Sequence, residues 1–246
     1  MKEFRADLHI HTLLSPCASL EMSPVAIVEA ALAKGIEILA ITDHNHTAHG
    51  MLIRKLAAEK GIYVLPGAEI SSSEEIHCLA YFDRESDTDD IQEFIDANIT
   101  KTANNPGIMG FQPVIDRNEM VVKEIEHSLY GSVRKGIEEI CSVVHATGGL
   151  FVPAHIDRPY NSLYSQIGFI PEGLSPDAYE ISFRTDPEIL MDEHPELRKH
   201  TLLKSSDAHY PDNIGRGGIR LRMKEISFDE IRMAFARTDG REAIII

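Results

Sequence analysis

The sequence predicts an α/β fold, either a barrel or a doubly wound sheet, in one domain that covers residues 1–246. Short apolar stretches alternate with stretches of helical spacing, and histidine or carboxylate residues follow most of the apolar stretches. Glycine or proline marks the ends of the helical stretches. These three observations are typical of strands joined by helices, with a functional site at the edge where the strands end.

The chain up to residue 81 follows a β-α-β-α-β order with one further strand. Ser23 and Pro24 provide a helix N-cap followed by proline at the first helical position, and Gly35 ends that helix. The stretch IEILAIT is apolar almost throughout, which is typical of a strand covered on both faces. The predicted elements are strand 4–10, helix 24–35, strand 36–42, helix 48–60, strand 62–70 and strand 76–81.

Residues 83–132 interrupt this alternation. The stretch 88–102 has helical spacing of its apolar residues and an acidic start that suits the helix dipole. The stretches 111–115 and 120–123 flank a turn and predict a β-hairpin. We interpret 83–132 as an inserted elaboration within the domain, and as a candidate lid, because it is too short for a sizeable core of its own.

The α/β pattern resumes after the insertion. Ile137, Ile140, Cys141 and Val144 have the i, i+3, i+4, i+7 spacing of one helix face. Ser227 and Glu230 have the spacing of a capping box at the start of the last helix. The remaining predicted elements are strand 150–154, strand 178–181, helix 187–199, strand 202–205 and a final short strand over 243–246.

Composition limits the classes of partner. The formal net charge of -15 argues against binding long nucleic acid through the general surface, although it allows a small anionic substrate. No apolar run approaches the ~20 residues of a membrane helix, and no signal peptide opens the sequence, so we expect a cytoplasmic protein without a membrane partner. Three cysteines without a C-x-x-C pair do not predict a disulfide scaffold. The sequence leaves the oligomeric state open.

Histidines and carboxylates at strand ends predict a metal site. His9 and His11 are two residues apart on a strand, so their side chains project to the same side. Mixed imidazole and carboxylate ligands suit zinc, manganese or iron. The candidates exceed the about four to six ligands of one ion, which predicts two or three divalent ions with a bridging carboxylate such as Glu69. The candidates are His9, His11, Asp43, His44, Glu69, His77, His155, Asp207 and His209.

The other histidines are interpreted as lying outside this site. His46 and His49 are close to His44 in sequence and are expected to flank the site. Solvent exposure is expected for most of His127, His145, His194 and His200.

Six short motifs resemble those of the polymerase and histidinol phosphatase (PHP) family, over roughly residues 4–210. The motifs are Asp7-Leu8-His9-Ile10-His11-Thr12, Thr42-Asp43-His44, Gly67-Ala68-Glu69-Ile70, His77 before Leu79-Ala80-Tyr81, Ala154-His155 and Ser206-Asp207-Ala208-His209. The resemblance implies a distorted, TIM-like β/α barrel of seven strands and a site for up to three metals. It also implies that His9, His11, Glu69 and Asp207 hold the first ion, Glu69, His77 and His155 the second, and His44 and His209 part of the third.

The first motif departs from the family pattern just after the strand. The family usually continues to Ser-Asp-Gly, whose aspartate serves the third metal, whereas this sequence has Ser15-Pro16-Cys17. Pro16 offers no ligand. Either the third site is weaker, or Cys17 supplies a thiolate, which favours zinc or iron over manganese or magnesium. An ordinary thiol at Cys17 is an equal alternative.

These features predict a metal-dependent phosphoesterase that uses a metal-bound hydroxide at a di- or trinuclear site. The expected substrate is a small phosphorylated metabolite, a nucleotide or a short oligonucleotide. Arg158 and Arg216 are candidates for binding phosphate, with Arg184 and Arg134 as weaker ones. His44 or His209 is a candidate for protonating the leaving group.

Two other classes of function remain open at this stage. A metal amidohydrolase also begins with H-x-H, but it usually bridges its metals through a lysine carbamate, and no lysine occupies a central strand end here. A catalytically weak or inactive metal-binding protein with an accessory or regulatory role is the other alternative, because of the departure at Pro16.

Overall fold

The computed structural model describes residues 1–246, which form a mixed α/β fold around a curled seven-stranded sheet. The strands are β1 (Lys2–Ile10), β2 (Ile38–Ile41), β3 (Tyr63–Ser71), β4 (His77–Tyr81), β5 (Pro113–Ile115), β6 (Val121–Glu124), β7 (Leu150–Pro153), β8 (Tyr179–Ile181), β9 (Leu202–Lys204), β10 (Ile219–Met223) and β11 (Glu242–Ile245). The helices are α1 (Pro24–Ala33), α2 (Gly50–Ala58), α3 (Glu85–Asn98), α4 (Pro106–Met109), α5 (Ile137–Ala146), α6 (Leu163–Gln166), α7 (Pro187–Glu193) and α8 (Phe228–Phe235), with 3-10 turns at Pro195–Lys199 and Pro211–Asn213.

The order of strands in the large sheet is β11-β10-β1-β2-β3-β4-β7. Within this sheet only β1, β2 and β3 pair in parallel, as β-α-β units require. β4 runs antiparallel to β3 and to β7, and β10 runs antiparallel to β1 and to β11. The sheet is therefore mixed and is not doubly wound.

The predicted closed barrel is an open half-barrel in the structure. β8 and β9 form a separate parallel pair that lies across the opening. Only isolated hydrogen bonds join this pair to the large sheet. On the β7 side, Asp177 N donates to Phe151 O and Ile156 N donates to Glu180 O, both at 2.9 Å. On the β1 side, His11 N donates to Ala208 O at 3.0 Å and Ala208 N donates to His9 O at 3.3 Å. Because no continuous ladder forms on either side of the pair, the ring of strands stays open.

Two further predictions need correction. The predicted helix over 187–199 ends at Glu193, since Pro195 cannot donate a helical hydrogen bond and starts a separate 3-10 turn. β10 was not predicted, although its sequence IRLRM alternates apolar and charged residues as a strand does. The last helix begins at the Ser227 cap as predicted, but the Glu230 carboxylate binds Lys224 N and Arg241 and does not return to the cap.

An irregularity in β1 frees the strand end for a site. The register between β1 and β2 shifts between Asp7 and Ile10. Leu8 packs in one buried cluster with Ala40, whereas Ile10 packs in another with Ile41, beneath α1 and α2. Such a bulge re-aims the side chains beside it. The structure thus buries both hydrophobic residues and leaves His9 and His11 facing the open end of the half-barrel.

No helix is both long and apolar enough to cross a membrane; the longest, α3, has 14 residues and begins with acidic ones. The β5–β6 hairpin forms a small sheet of its own within the 83–132 segment.

Candidate metal centre

The candidate ligands come from six places in the fold and converge at one end of the half-barrel. Strand ends or the residues just after them supply most of these side chains, as the sequence predicts for an α/β fold. His9 and His11 come from β1, His44 from the turn after β2, Glu69 from β3, His77 from the start of β4, His155 from the turn after β7, and Asp207 and His209 from the turn after β9.

Glu69 lies at the centre of this group and is buried. Its Oε1 atom is 2.9 Å from His77 Nδ1, 3.1 Å from His155 Nε2 and 3.3 Å from His9 Nε2. Its Oε2 atom is 3.0 Å from Nδ1 of His44. One carboxylate therefore touches imidazoles on both sides, which is the arrangement required of a bridge between ions.

A second carboxylate completes a compact set around the first two histidines. His9 Nε2 and His11 Nε2 are 3.1 Å apart, and Asp207 Oδ1 is 3.4 Å and 3.3 Å from them. His11 Nε2 is 3.4 Å from Glu69 Oε2. Ligand atoms bonded tetrahedrally at about 2.0–2.1 Å lie about 3.3 Å from one another, so each carboxylate lies at ligand spacing from both histidines.

The carboxylates are held in their charged form. Burial raises the pKa of Glu69, but the surrounding imidazoles, His77 first, outweigh it and hold the pKa well below its usual range. The pKa of Asp207 is likewise well below its usual range, because His9 and His11 outweigh the effect of burial. His77 Nδ1 is buried without a hydrogen-bond partner although it faces Glu69. A buried ring nitrogen without a hydrogen-bond partner is an atom that can serve as a metal ligand.

Hydrogen bonds behind the first histidines set which ring nitrogen faces the centre. Nδ1 of His9 contacts Glu180 Oε2 at 2.9 Å, and the same oxygen accepts from the backbone N of His155 at 3.1 Å. Nδ1 of His11 contacts Ser15 Oγ at 2.9 Å. A partner on Nδ1 leaves Nε2 free to bind a metal. The sequence analysis did not identify Glu180. The feature that could have indicated its role is a carboxylate in the middle of a buried strand.

Asp43 lies outside the converging group. It accepts hydrogen bonds from Thr12 N and Oγ1, both at 2.7 Å, and from Ser15 Oγ at 2.6 Å. Its carboxylate therefore supports the turn after β1 from behind. The sequence alone does not distinguish this position from a ligand position, because Asp43 adjoins His44.

Cys17 joins a second group of donor atoms. Its Sγ atom is 3.0 Å from His209 Nε2, and the rings of His209 and His11 stack at 4.3 Å. Nitrogens of His11, His44 and His209 lie within 4.8 Å of one another. Burial raises the pKa of Cys17, but hydrogen bonds with His209 and His44 outweigh it and lower the pKa below its usual value. The thiol therefore lies beside the converging histidines, in surroundings that favour its ionised form.

Two of the arginines predicted to bind phosphate, Arg158 and Arg216, lie beside the turn that carries Asp207. Nη2 of Arg158 is 2.5 Å from Asp207 Oδ2. Arg216 donates through Nε to the backbone O of Ser206 at 2.9 Å and stacks on Phe183 at 4.4 Å. Arg184 also stacks on the Phe183 ring, at 5.1 Å, and Arg216 Nη2 donates to the backbone O of Asp207 at 3.4 Å, so Arg158, Arg184 and Arg216 lie on the Asp207 side of the site.

Arg134 is not part of that side. Its guanidinium donates to Ala97 O near the end of α3, so the structure does not bring it to the converging ligands.

A polar cavity of about 100 Å³ opens beside the ligands. Tyr130, from the segment between β6 and α5, lines it, and its ring lies 5.8 Å from the His44 ring. Sequence reasoning did not find Tyr130 or Asn161, whose side-chain amide is hydrogen-bonded to His77 Nε2 at 2.9 Å. The lining residues are His44, Ser71, Glu75, His77, Tyr130, Ser132 and Asn161.

The remaining histidines lie away from the converging donor atoms. Of the four predicted to be exposed, only His145 is, and it contacts Asp177 at 2.9 Å; His127, His194 and His200 are half-buried. His46 and His49 flank the turn after β2, and His49 is fully buried.

Two of the solved structures with the same fold have names that describe activity on phosphate esters. The lesion-specific endonuclease PfuEndoQ of Pyrococcus furiosus has a TM-score of 0.76 at 21% identity, covering 98% of this chain and 58% of that chain. A provisionally named metal-dependent phosphoesterase of Bifidobacterium adolescentis has a TM-score of 0.59 at 21% identity, covering 83% of this chain and 87% of that chain. At this identity the likeness shows the fold alone.

The two proteins related in sequence are longer than the part of them that aligns with this chain. The uncharacterised protein YqxK of Bacillus subtilis is 26% identical over 278 aligned residues, covering 99% of this chain and 65% of that protein. The uncharacterised protein MJ1587 of Methanocaldococcus jannaschii is 42% identical over 79 residues, covering 28% of this chain and 46% of that protein. The chain therefore spans less than two thirds of each of these relatives. The family model described as PHP domain matches residues 7–180, more than half of the sequence, so the chain belongs to the PHP domain family.

Proposed function

We propose that the chain is a metal-dependent phosphoesterase. The observation that carries this proposal is the position of Glu69, buried at the centre of imidazoles from β1, from β4 and from the turns after β2 and β7. Membership of the PHP domain family supports the same reaction class. The likeness in fold to an endonuclease and to a named phosphoesterase is consistent with it.

The proposed ligand sets are those that the family resemblance implies, supported by the contacts that Glu69 and Asp207 make with the histidines. Glu69 and Asp207 hold the first ion together with the Nε2 atoms of His9 and His11. Glu69 also holds the second ion, with His77 and His155. The third ion is held by His44, His209 and Cys17. When bound, the ions supply a water of lowered pKa and positive charge for the phosphoryl oxygens.

Side chains at the rim bind and protonate the substrate. Arg158 lies against Asp207, which places a guanidinium beside the proposed position of a phosphate, and a guanidinium pairs with phosphate in bidentate fashion. Arg216 and Arg184 add positive charge on the same side. His44 faces the cavity. Burial lowers its pKa, but Glu69 and Cys17 outweigh burial and hold the pKa well above its usual value. Without a third ion, His44 is thus the proposed proton donor to the leaving oxygen.

The direct test uses purified protein with manganese or zinc and a generic phosphoester. We expect wild-type protein to hydrolyse it, and His155→Ala and Asp207→Ala to lose both hydrolysis and bound metal, because each removes a ligand. Elemental analysis and initial rates measure the two effects. His145→Ala, on the exposed face of α5, is the matched control and is expected to keep both. Full activity in either ligand variant would refute the mechanism.

Cys17 sets the metal preference of the third position in this proposal. Cys17→Asp is expected to raise the affinity for manganese relative to zinc, because an oxygen ligand replaces a soft thiolate. Cys17→Ser, which is nearly isosteric, is expected to lower zinc content without that gain. Competitive metal loading followed by elemental analysis measures both variants. The same zinc-to-manganese ratio in wild type and Cys17→Asp would exclude a ligand role for the thiol.

The proposed substrates are small phosphorylated metabolites, nucleotides and short oligonucleotides. A structure of endonuclease Q, with TM-score 0.71 to this chain, holds a 27-mer duplex with an abasic lesion at its active site. Nucleic-acid substrates therefore belong in the test panel, even though the net charge of -15 gives this chain no general attraction for DNA. We propose that the 83–132 segment shapes the pocket, because Tyr130 at its end lines the cavity.

The other two classes of function are separated by the same panel. Hydrolysis of cyclic amides without hydrolysis of phosphoesters would favour an amidohydrolase, although Glu69 and not a lysine occupies the bridging position. Metal binding without turnover on a broad panel would favour an accessory or regulatory protein.

A further inference from the structure

A continuous chain of hydrogen bonds runs from the β5–β6 hairpin to the candidate ligand His11. Ile115 N, on β5, donates to His49 Nε2 at 3.0 Å. Nδ1 of His49 lies 2.7 Å from Thr12 Oγ1, which donates to Asp43 Oδ2 at 2.7 Å. Two further bonds complete the path: Asp43 Oδ1 accepts from Ser15 Oγ at 2.6 Å, and that oxygen is 2.9 Å from His11 Nδ1. We call this path the Ile115–His11 chain.

The donors and acceptors along this chain agree with a single set of protons. Because Ile115 N–H can only donate, His49 Nε2 accepts, and its proton is on Nδ1, which donates to Thr12. The Thr12 and Ser15 hydroxyls then donate to Asp43, and Ser15 accepts from His11 Nδ1–H. That last bond leaves His11 Nε2 as the free lone pair, facing Glu69 and Asp207. Both halves of the chain therefore donate toward the Asp43 carboxylate, which accepts from the hairpin side through Thr12 and from the His11 side through Ser15.

His49 is unusual among the residues of this turn. Its side chain is completely buried, and both ring nitrogens form hydrogen bonds: Nε2 with Ile115 on β5 and Nδ1 with Thr12 just after β1. Asn45 also joins the insertion, donating to Leu129 O and Gly131 O at 2.8 Å and 2.9 Å, but its other bond goes to Ser71 N on β3. Among these contacts, His49 provides the path that reaches a candidate ligand through side chains.

We propose that His49 is a positioning residue that couples the β5–β6 hairpin to His11 and thereby sets how tightly the His9–His11 pair holds its metal ion. The inference rests on the metal-binding part of the proposed function and not on hydrolysis. Partners behind a ligating histidine orient the ring and raise its basicity, and their loss typically lowers metal affinity by about 10- to 100-fold. His49 acts through Thr12, Asp43 and Ser15 and touches no reacting atom.

The test measures zinc affinity by competition with a chelator, on protein shown by circular dichroism to be folded. His49→Ala is expected to lower the affinity about 10-fold or more. His49→Gln is expected to restore part of it, because its amide can accept from Ile115 N and donate to Thr12. Thr12→Val is expected to match His49→Ala, whereas Thr12→Ser keeps the hydroxyl and is expected to match wild type.

A double variant shows whether the two residues affect zinc affinity through one shared path or through separate losses of packing. His49→Ala combined with Thr12→Val is expected to lose no more affinity than the weaker-binding single variant, because both break the same chain. His46→Ala is the matched control: this neighbouring histidine bonds only Ala48 N and is expected to keep zinc affinity. The expected pattern in zinc affinity supports the coupling even if the wild type hydrolyses no phosphoester, in which case only the proposed function fails. Unchanged affinity in His49→Ala and Thr12→Val, even with a lower melting temperature, would overturn the inference, and so would a wild type that binds no metal.

Discussion

Glu69→Gln is expected to lower phosphoester hydrolysis by more than about 100-fold and to reduce bound metal by more than one ion per chain, since the loss of a bridging ligand exceeds that of an outer-shell partner. The carboxylate lies within 3.4 Å of nitrogens from five histidines, so a neutral amide removes the charge that both proposed ligand sets share. Rates with a generic phosphoester and elemental analysis of the same preparation measure the effect.

The comparison variant is Glu172→Gln, which makes the same chemical change at an exposed position outside the site. It is expected to keep wild-type rate and metal content. A Glu69→Gln protein that binds as much metal as wild type would show that the two ligand sets do not share this residue. Loss of one ion alone would place Glu69 in a single ligand set and remove its role as a bridge.

Gly67→Ala is expected to give the second large effect, a fall of about 3 kcal/mol in the free energy of unfolding. A Cβ atom on Gly67 would lie 2.1 Å from the backbone O of Ala80 on β4. Neither backbone can move without disturbing the β3–β4 ladder that pairs Glu69 with Leu79. Urea denaturation of metal-free protein measures the change.

Gly107→Ala is the matched control for this substitution. At Gly107 the nearest atom to an added Cβ is 3.5 Å away, an ordinary contact, so stability is expected to stay within about 0.5 kcal/mol of wild type. Equal stability of the Gly67 and Gly107 variants would mean that β3 and β4 can separate at this point. The glycine of the Gly67-Ala68-Glu69 motif would then have no packing role.

The convergence of these histidines and carboxylates was largely predictable, because most of them lie at or just after the end of a recognisable strand. His9 and His11 follow from the two-residue spacing on β1, His155 comes directly after an apolar stretch, and Asp207 comes two residues after the predicted strand 202–205. Their partners were not predictable in the same way. Glu180 and His9 are 171 residues apart, and no local pattern joins them. His49 was expected only to flank the site, because its two contacts belong to different segments of the chain.

The overall architecture was also predictable only in part. Alternating strands and helices indicated an α/β fold, but closure of the barrel depends on whether β7 and β8 form a ladder. The structure has two isolated backbone hydrogen bonds between these segments in place of a ladder, and the pair β8–β9 stays separate. Pairing of strands depends on contacts between distant segments, and local propensity does not determine it.

The sequence by itself determined the strand-end positions of the histidines and carboxylates and the missing carboxylate at Pro16, since both depend on residue identity and short spacing. The tertiary structure alone decided that Glu69 is central, that Asp43 stands behind the site and that Cys17 meets His209. It also decided that the sheet stays open. The physical reason is that these features arise where segments far apart in sequence pack together, and a contact of that kind leaves no periodic signal in the chain.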